Sequence, residues 1–204
     1  MTKRILPLFW LAALLGAFVS VGVSAPAFAG PTVASAPATV TDVMKALALL
    51  PPECWLEHVK VNCVPIAHYD RMKDAVPFVK AAVAHAKDLE EAVTVSAWAA
   101  WETNFKTALR GDGGKSVGPL QLQAHILAPE KAVDSELSII AWLNLKHRAE
   151  VECIHNPADE RLALIASGNC FMARRKVAHR TDAITKALAT LQAGTILEAH
   201  LQHE

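Results

Sequence analysis

The chain has no excess of basic charge. Its 20 Lys and Arg are matched by 20 Asp and Glu, and without residues 1–29, which carry Lys3 and Arg4 and no acid, the balance is 18 against 20. Neutralising a phosphate backbone takes a concentrated basic face, so nucleic acid is not an expected partner. There is no His-Glu-x-x-His, which leaves zinc-peptidase chemistry without support, and no Cys-x2-Cys spacing of the kind structural zinc sites favour. The nine histidines form no strong metal set. His200 and His203, with Glu198, stand at helix-compatible spacing in the C-terminal tail and read as solvated surface. No metal and no cofactor is expected. Composition does not exclude a Ser/His/Asp triad, but no serine-hydrolase elbow is expected. No internal repeat is present.

Residues 1–29 have the pattern of a secretory signal peptide. Lys3 and Arg4 supply the positive start, Ile5 to Val23 is uncharged and apolar, and Ala27-Phe28-Ala29 is a small-x-small exit. The competing reading is an uncleaved anchor, because the run is nearly long enough to span a bilayer. Pro7, the Gly and Ser content and the exit triplet favour cleavage near Ala29-Gly30. The expected location is therefore periplasmic or secreted, with membrane contact only through an uncleaved leader. No Cys directly follows the run, which argues against a lipoprotein anchor.

All four cysteines, Cys54, Cys63, Cys153 and Cys170, follow the leader. An even number in an exported chain reads as disulfides. Three pairings are possible, and locality favours Cys54–Cys63 with Cys153–Cys170. Each would close a short loop and add roughly 2–4 kcal/mol by constraining the unfolded chain.

Residues 30–40 are rich in Pro, Ala, Ser and Thr and read as a flexible linker. One domain is expected over 41–194, with a tail at 195–204. Thr41 or Asp42 is placed to cap a short helix, Val43 to Leu50, that Pro51-Pro52 stops. Cys54 to His68 reads as a disulfide-closed loop. Apolar residues recur at helical spacing from Asp70 to Lys87 (Met72, Val76, Val79, Val83, Ala86) and from Asp134 to Val151 (Leu137, Ile140, Ala141, Leu143, Leu145). Further helices are expected over Asp88 to Phe105, Asp159 to Ser167 with Gly168 in a left-handed terminal position, and Arg174 to Leu191. The fold class is all-α, or α+β at most.

The segment Ala97 to Gln123 carries the chemistry. Glu102 ends an Ala/Trp-rich helical run, and Trp98 lies four residues earlier on nearly the same face. Apolar packing around a lone carboxyl disfavours its charged form, and a protonated acid can deliver a proton to a leaving oxygen. Glu102-Thr103-Asn104-Phe105, followed by Gly114-Lys115-Ser116-Val117-Gly118-Pro119-Leu120-Gln121-Leu122, resembles the lytic transglycosylases of the lysozyme superfamily. Those proteins show Glu-Ser-x-Phe/Tyr, a short loop, and Gly-x-Ser-x-Gly-Leu-Met-Gln-Ile. The resemblance is strong over about a quarter of the mature domain and runs on weakly to about Arg180.

That resemblance implies a lysozyme-like, mostly helical catalytic domain acting on peptidoglycan glycan strands. It makes Glu102 the general acid and then the base, drawing a proton from the sugar's own 6-hydroxyl to leave a 1,6-anhydromuramoyl end. It makes Ser116, Gly118 and Gln121 groove residues, with Gly118 permitting close backbone approach. The motif differs at Thr103, at Pro119-Leu120, and at Ala166-Ser167-Gly168-Asn169, where the family has Ala-Tyr-Asn-x-Gly. Asp112 divides the alternatives. As a second carboxylate it would support a hydrolytic lysozyme, with carboxyl groups roughly 5–5.5 Å apart for retention or about 6.5–9.5 Å for inversion. Otherwise it is a plain Asp-Gly turn. Trp98, Trp101 and Trp142 are either sugar platforms or core. A non-catalytic glycan-binding domain serving an envelope or secretion machine is the rival from another class.

Overall fold

The structure, a computed structural model, describes residues 37–51, 53–57, 60–64 and 69–201, with side chains over 37–51 and 75–195. The leader and most of the linker (residues 1–36) lie outside the described residues. Among the described residues the helices are α1 Val40–Ala48, α2 Tyr69–His85, α3 Leu89–Thr103, α4 Pro129–Ala132, α5 Ser135–Glu152, α6 Ala163–Ser167 and α7 Arg174–Leu201. Strands β1 Glu53–Glu57 and β2 Lys60–Val64 form an antiparallel hairpin. Strands β3 Arg110–Gly111, β4 Ser116–Val117 and β5 Leu122–Gln123 form a small antiparallel sheet in that order. The chain is mostly helical, as expected. No helix among the described residues is long and apolar enough to cross a membrane.

Helix α3 is the centre of the domain, packed by α1, α2, α5 and α7. It starts where Asp88 accepts the N–H of Glu91 at 2.8 Å, which satisfies one orphan donor of the first turn. Its residues from Glu91 to Ala100 are all buried. A helix this small-sided and apolar all round belongs inside a core. It ends at Asn104, whose left-handed backbone (φ 57°, ψ 45°) turns the chain sharply. Phe105 follows at φ 65° and packs on Phe78, with ring centroids 5.5 Å apart.

Several elements differ from the sequence pattern. Helix α1 begins earlier, because Thr39 rather than Thr41 or Asp42 accepts the capping N–H, that of Asp42 at 3.1 Å. The expected loop after Cys54 is the β1–β2 hairpin, consistent with its β-branched residues. The buried stripe of α5 is Ile139, Trp142, Leu143, Lys146 and Ala149, leaving Leu137 and Ile140 exposed. Of the apolar positions read from the sequence, Leu143 lies in that stripe and Ala141 and Leu145 pack against the core. Asp159 to Ser167 splits into a 3-10 turn, Ala158–Glu160, and α6, and Gly168 ends α6 in the expected left-handed conformation at φ 68°. Helix α7 continues through the expected tail to Leu201, since Ala, Gln, Leu and Glu sustain helix. His203 and the side chains of Glu198 and His200 lie outside the described residues.

Cys153 and Cys170 form a disulfide with Cα atoms 5.5 Å apart, tying the end of α5 to the loop after α6. Cys54 stands opposite Cys63 in the hairpin register, and their side chains lie outside the described residues.

Candidate active site

A groove of about 560 Å³ opens beside the C-terminal end of α3. One wall comes from α3 and the small sheet: Trp98, Glu102, Asp112, Ser116, Gln121 and the Leu122–Ile126 turn. The other comes from α5, through Asn144, Leu145 and Arg148, and from α6 and its cap, through Leu164 to Gly168. Glu102, Asp112, Ser116 and Gln121 therefore share one cavity, although up to nineteen residues separate them in the chain. Ser167 and Gly168 line the same groove from the end of α6.

The sheet is shaped by residues whose polar groups are committed to the backbone. Gln121 donates from Nε2 to the carbonyls of Gly118 (2.9 Å) and Leu109 (3.2 Å), which closes the turn between β4 and β5 onto the chain entering β3. Ser116 is buried and donates to Asp112 Oδ2 at 2.6 Å. Gly118 does not line the groove. It sits at φ 84°, and a Cβ there would meet the Ala132 carbonyl oxygen at 1.8 Å, so only glycine lets α4 approach this closely. Thr103 donates to the Pro119 carbonyl at 2.8 Å, with the Ala99 carbonyl at 3.2 Å, so two of the three motif differences touch each other. The hydroxyl that Thr shares with Ser makes this contact. Asp112 and Gln121 both adopt φ 50°, unusual for residues with side chains and a form of strain that clusters at functional sites.

Glu102 is 26 % exposed, and its Oε1 takes the guanidinium of Arg180 at 2.6 Å, with the Lys176 ammonium at 3.9 Å. Both cations come from α7, and neither was found in the sequence. The tryptophans expected to wrap the acid instead carry the arginine: its guanidinium carbon lies 4.7 Å from the Trp98 ring and 5.2 Å from the Trp101 ring. The environment beside Glu102 is thus a cation on aromatic faces rather than an apolar wall. Trp142 is fully buried and packs against Trp98 at 5.6 Å, which makes it core. The missed signal was in α7, where Arg180 interrupts the apolar series Val177, Ile184, Ala187 at helical spacing.

Gly114 to Gly118 also spells Gly-x-Ser-x-Gly, the lettering of a serine-hydrolase elbow. Such an elbow needs a strand-to-helix turn with the serine presented to a histidine. Here Ser116 opens β4 and its hydroxyl is spent on Asp112. The segment is sheet scaffolding for the groove.

A second charged cluster lies at the other end of α3. Glu91, 2 % exposed, accepts the Lys87 backbone N–H at 2.9 Å and contacts His147 Nε2 at 3.0 Å and Lys146 Nζ at 3.3 Å. Burial pushes its carboxyl up, but the Lys87 N–H, the His147 ring and the Lys146 ammonium outweigh burial and hold it below its usual value. Lys146 is pulled down by burial and pulled up more strongly by Glu150 and Glu91, ending above its usual value. This cluster joins α3 to α5 and lines no part of the groove.

No family model, curated protein or solved structure matches this chain. Function rests on the groove and on the motif within it.

Proposed function

We propose that this chain is an exported peptidoglycan-cleaving enzyme of lysozyme-like fold, a lytic transglycosylase that cuts the β-1,4 bond between N-acetylmuramic acid and N-acetylglucosamine. The observation that carries the reading is the convergence of Glu102, Asp112, Ser116 and Gln121 on one groove. Glu102, Ser116 and Gln121 are positions that the family motif marks, and the α6 cap, which stands where the family has its later motif, supplies the facing wall.

In the proposed reaction Glu102 gives its proton to the glycosidic oxygen as the bond from that oxygen to C1 of the muramoyl sugar breaks. The 6-hydroxyl of the same sugar then bonds to C1, and its proton returns to Glu102. Water is not consumed. Gln121 and Ser116 act through the wall they hold rigid, and Asp112 is held by Ser116.

Hydrolysis is the second reading, favoured by one observation: Asp112 lines the same groove in a strained backbone conformation. Mass spectrometry of products from purified sacculi separates the two. Muropeptides one water lighter, with anhydro ends, are expected. Reducing ends would make the reaction hydrolytic and Asp112 its second carboxylate. Binding to sacculi with no product released would overturn catalysis and identify a glycan-binding domain.

A further inference from the structure

We propose that Arg180 is a positioning residue for Glu102: seated on two tryptophan rings, its guanidinium fixes the carboxyl side chain in the groove and receives the negative charge that proton donation creates. This rests on Glu102 being the acid/base of the reading above.

The argument begins with spacing. Trp98, Trp101 and Glu102 stand at i, i+3 and i+4 on α3, so two rings and the acid form one stripe. Arg180 reaches that stripe from α7, its guanidinium carbon within 5.2 Å of both ring centres and its Nη1 2.6 Å from Glu102 Oε1. A cation on an aromatic face is attracted by the ring quadrupole, and more strongly where water is excluded. The Arg180 side chain is 3 % exposed, in an apolar stripe of its helix where a charge is costly unless surrounded. The rings and the carboxylate are among the groups that surround it.

The chemistry follows from the contact. On giving up a proton a carboxyl becomes an anion, the form with which a guanidinium makes its strongest hydrogen bond. Arginine keeps its own proton throughout and so does not compete as an acid. Among the charged groups that reach Glu102, Lys176 is on the same helix and touches the same oxygen, Oε1. Asp112, His125 and Arg148 line the same groove.

The test compares purified wild type, Arg180→Met and Arg180→Lys on sacculi, measuring initial rates over a range of sacculus concentrations and co-sedimentation as a separate readout of binding. Loss of positioning is expected to lower kcat about 100-fold in Arg180→Met. KM and co-sedimentation should change by less than about twofold, because substrate contacts remain. Arg180→Lys, which keeps the charge but loses the fork, should recover about tenfold of that loss. Wild-type kcat in Arg180→Met, or a loss confined to KM and co-sedimentation, would overturn the proposal. If Arg180→Met fails to fold by circular dichroism, Trp101→Leu removes half of the arginine's seat; a several-fold lower kcat supports the proposal and an unchanged one sinks it. A wild type that releases no muropeptide overturns the catalytic reading and this one together, whereas a wild type that cleaves alongside equally active Arg180 variants overturns this one alone.

Discussion

Two glutamates on α3 meet cations in different ways. Glu91, in the first turn, is enclosed: a backbone N–H, an ammonium and an imidazole occupy its two oxygens, and its side chain is almost fully buried. Glu102, in the last turn, is gripped through Oε1 by Arg180 and borders an open groove. An acid whose surroundings are complete has only a structural task, because nothing new can reach it. An acid held on one flank and open on the other is oriented without being consumed, which is what proton transfer to a substrate requires. The sequence shows both as glutamates on a helix with basic residues elsewhere; the groove separates them.

The sharpest way to break this contrast is to neutralise each acid in turn. Glu102→Gln should lower cleavage of sacculi by about 10²–10⁴-fold, the usual contribution of a general acid/base, with its urea-unfolding midpoint close to wild type. An active mutant would remove Glu102 from the chemistry. Glu91→Gln should do the reverse. Lys146 keeps Glu150 but loses its bond to Glu91, which should cost about 3 kcal/mol in urea unfolding, while the folded fraction keeps its activity per molecule. If the two variants behave alike, the distinction between the ends of α3 fails.

Acidification sharpens the same point. Glu91 is held below the usual carboxylate value of 4.5 when folded, so the stability it contributes is present above pH 4.5 and is lost as pH falls through its folded value. The stability gap between wild type and Glu91→Gln should therefore close on acidification, measured by unfolding at a series of pH values; a constant gap would contradict the pairing. Lys146, held above 10.5, contributes stability that is present below that value and lost as pH rises through its folded one.

Two smaller effects test the groove end without touching either acid. Replacing both Cys153 and Cys170 with Ser opens a 17-residue separation and should cost about 3 kcal/mol, read as a lower melting temperature. An unchanged midpoint would mean that the α5–α6 wall needs no staple. Thr103→Val keeps the shape but removes the hydrogen bond to Pro119, and should cost about 1 kcal/mol in urea unfolding. No loss would show that the β4–β5 turn is held by Gln121 and packing alone.

Much of this was legible along the chain. The helix bearing Glu102, the left-handed stop at Gly168, the pairing of Cys153 with Cys170 and the Ser-x-Gly-x-x-Gln segment near the acid all follow from caps, periodicity and spacing over short distances. Lys146 holds a buried position in α5 and Arg180 one in α7, and an apolar pattern includes neither. A pattern search that counts only apolar residues treats a buried charge as a break in the stripe, although its partner is what permits burial.

Residue order therefore settled roughly where the main helices lie and which segment holds the acid, since these depend on torsion preferences and hydrogen bonds among near neighbours. Which cation meets which acid, and which glutamate faces an open groove, was settled by packing. Arg180 lies 78 residues from Glu102, and Lys146 lies on a different helix from Glu91. No local preference links such distant residues. They meet because α5 and α7 bury their faces against α3, and the charges carried on those faces must find one another or go unpaired.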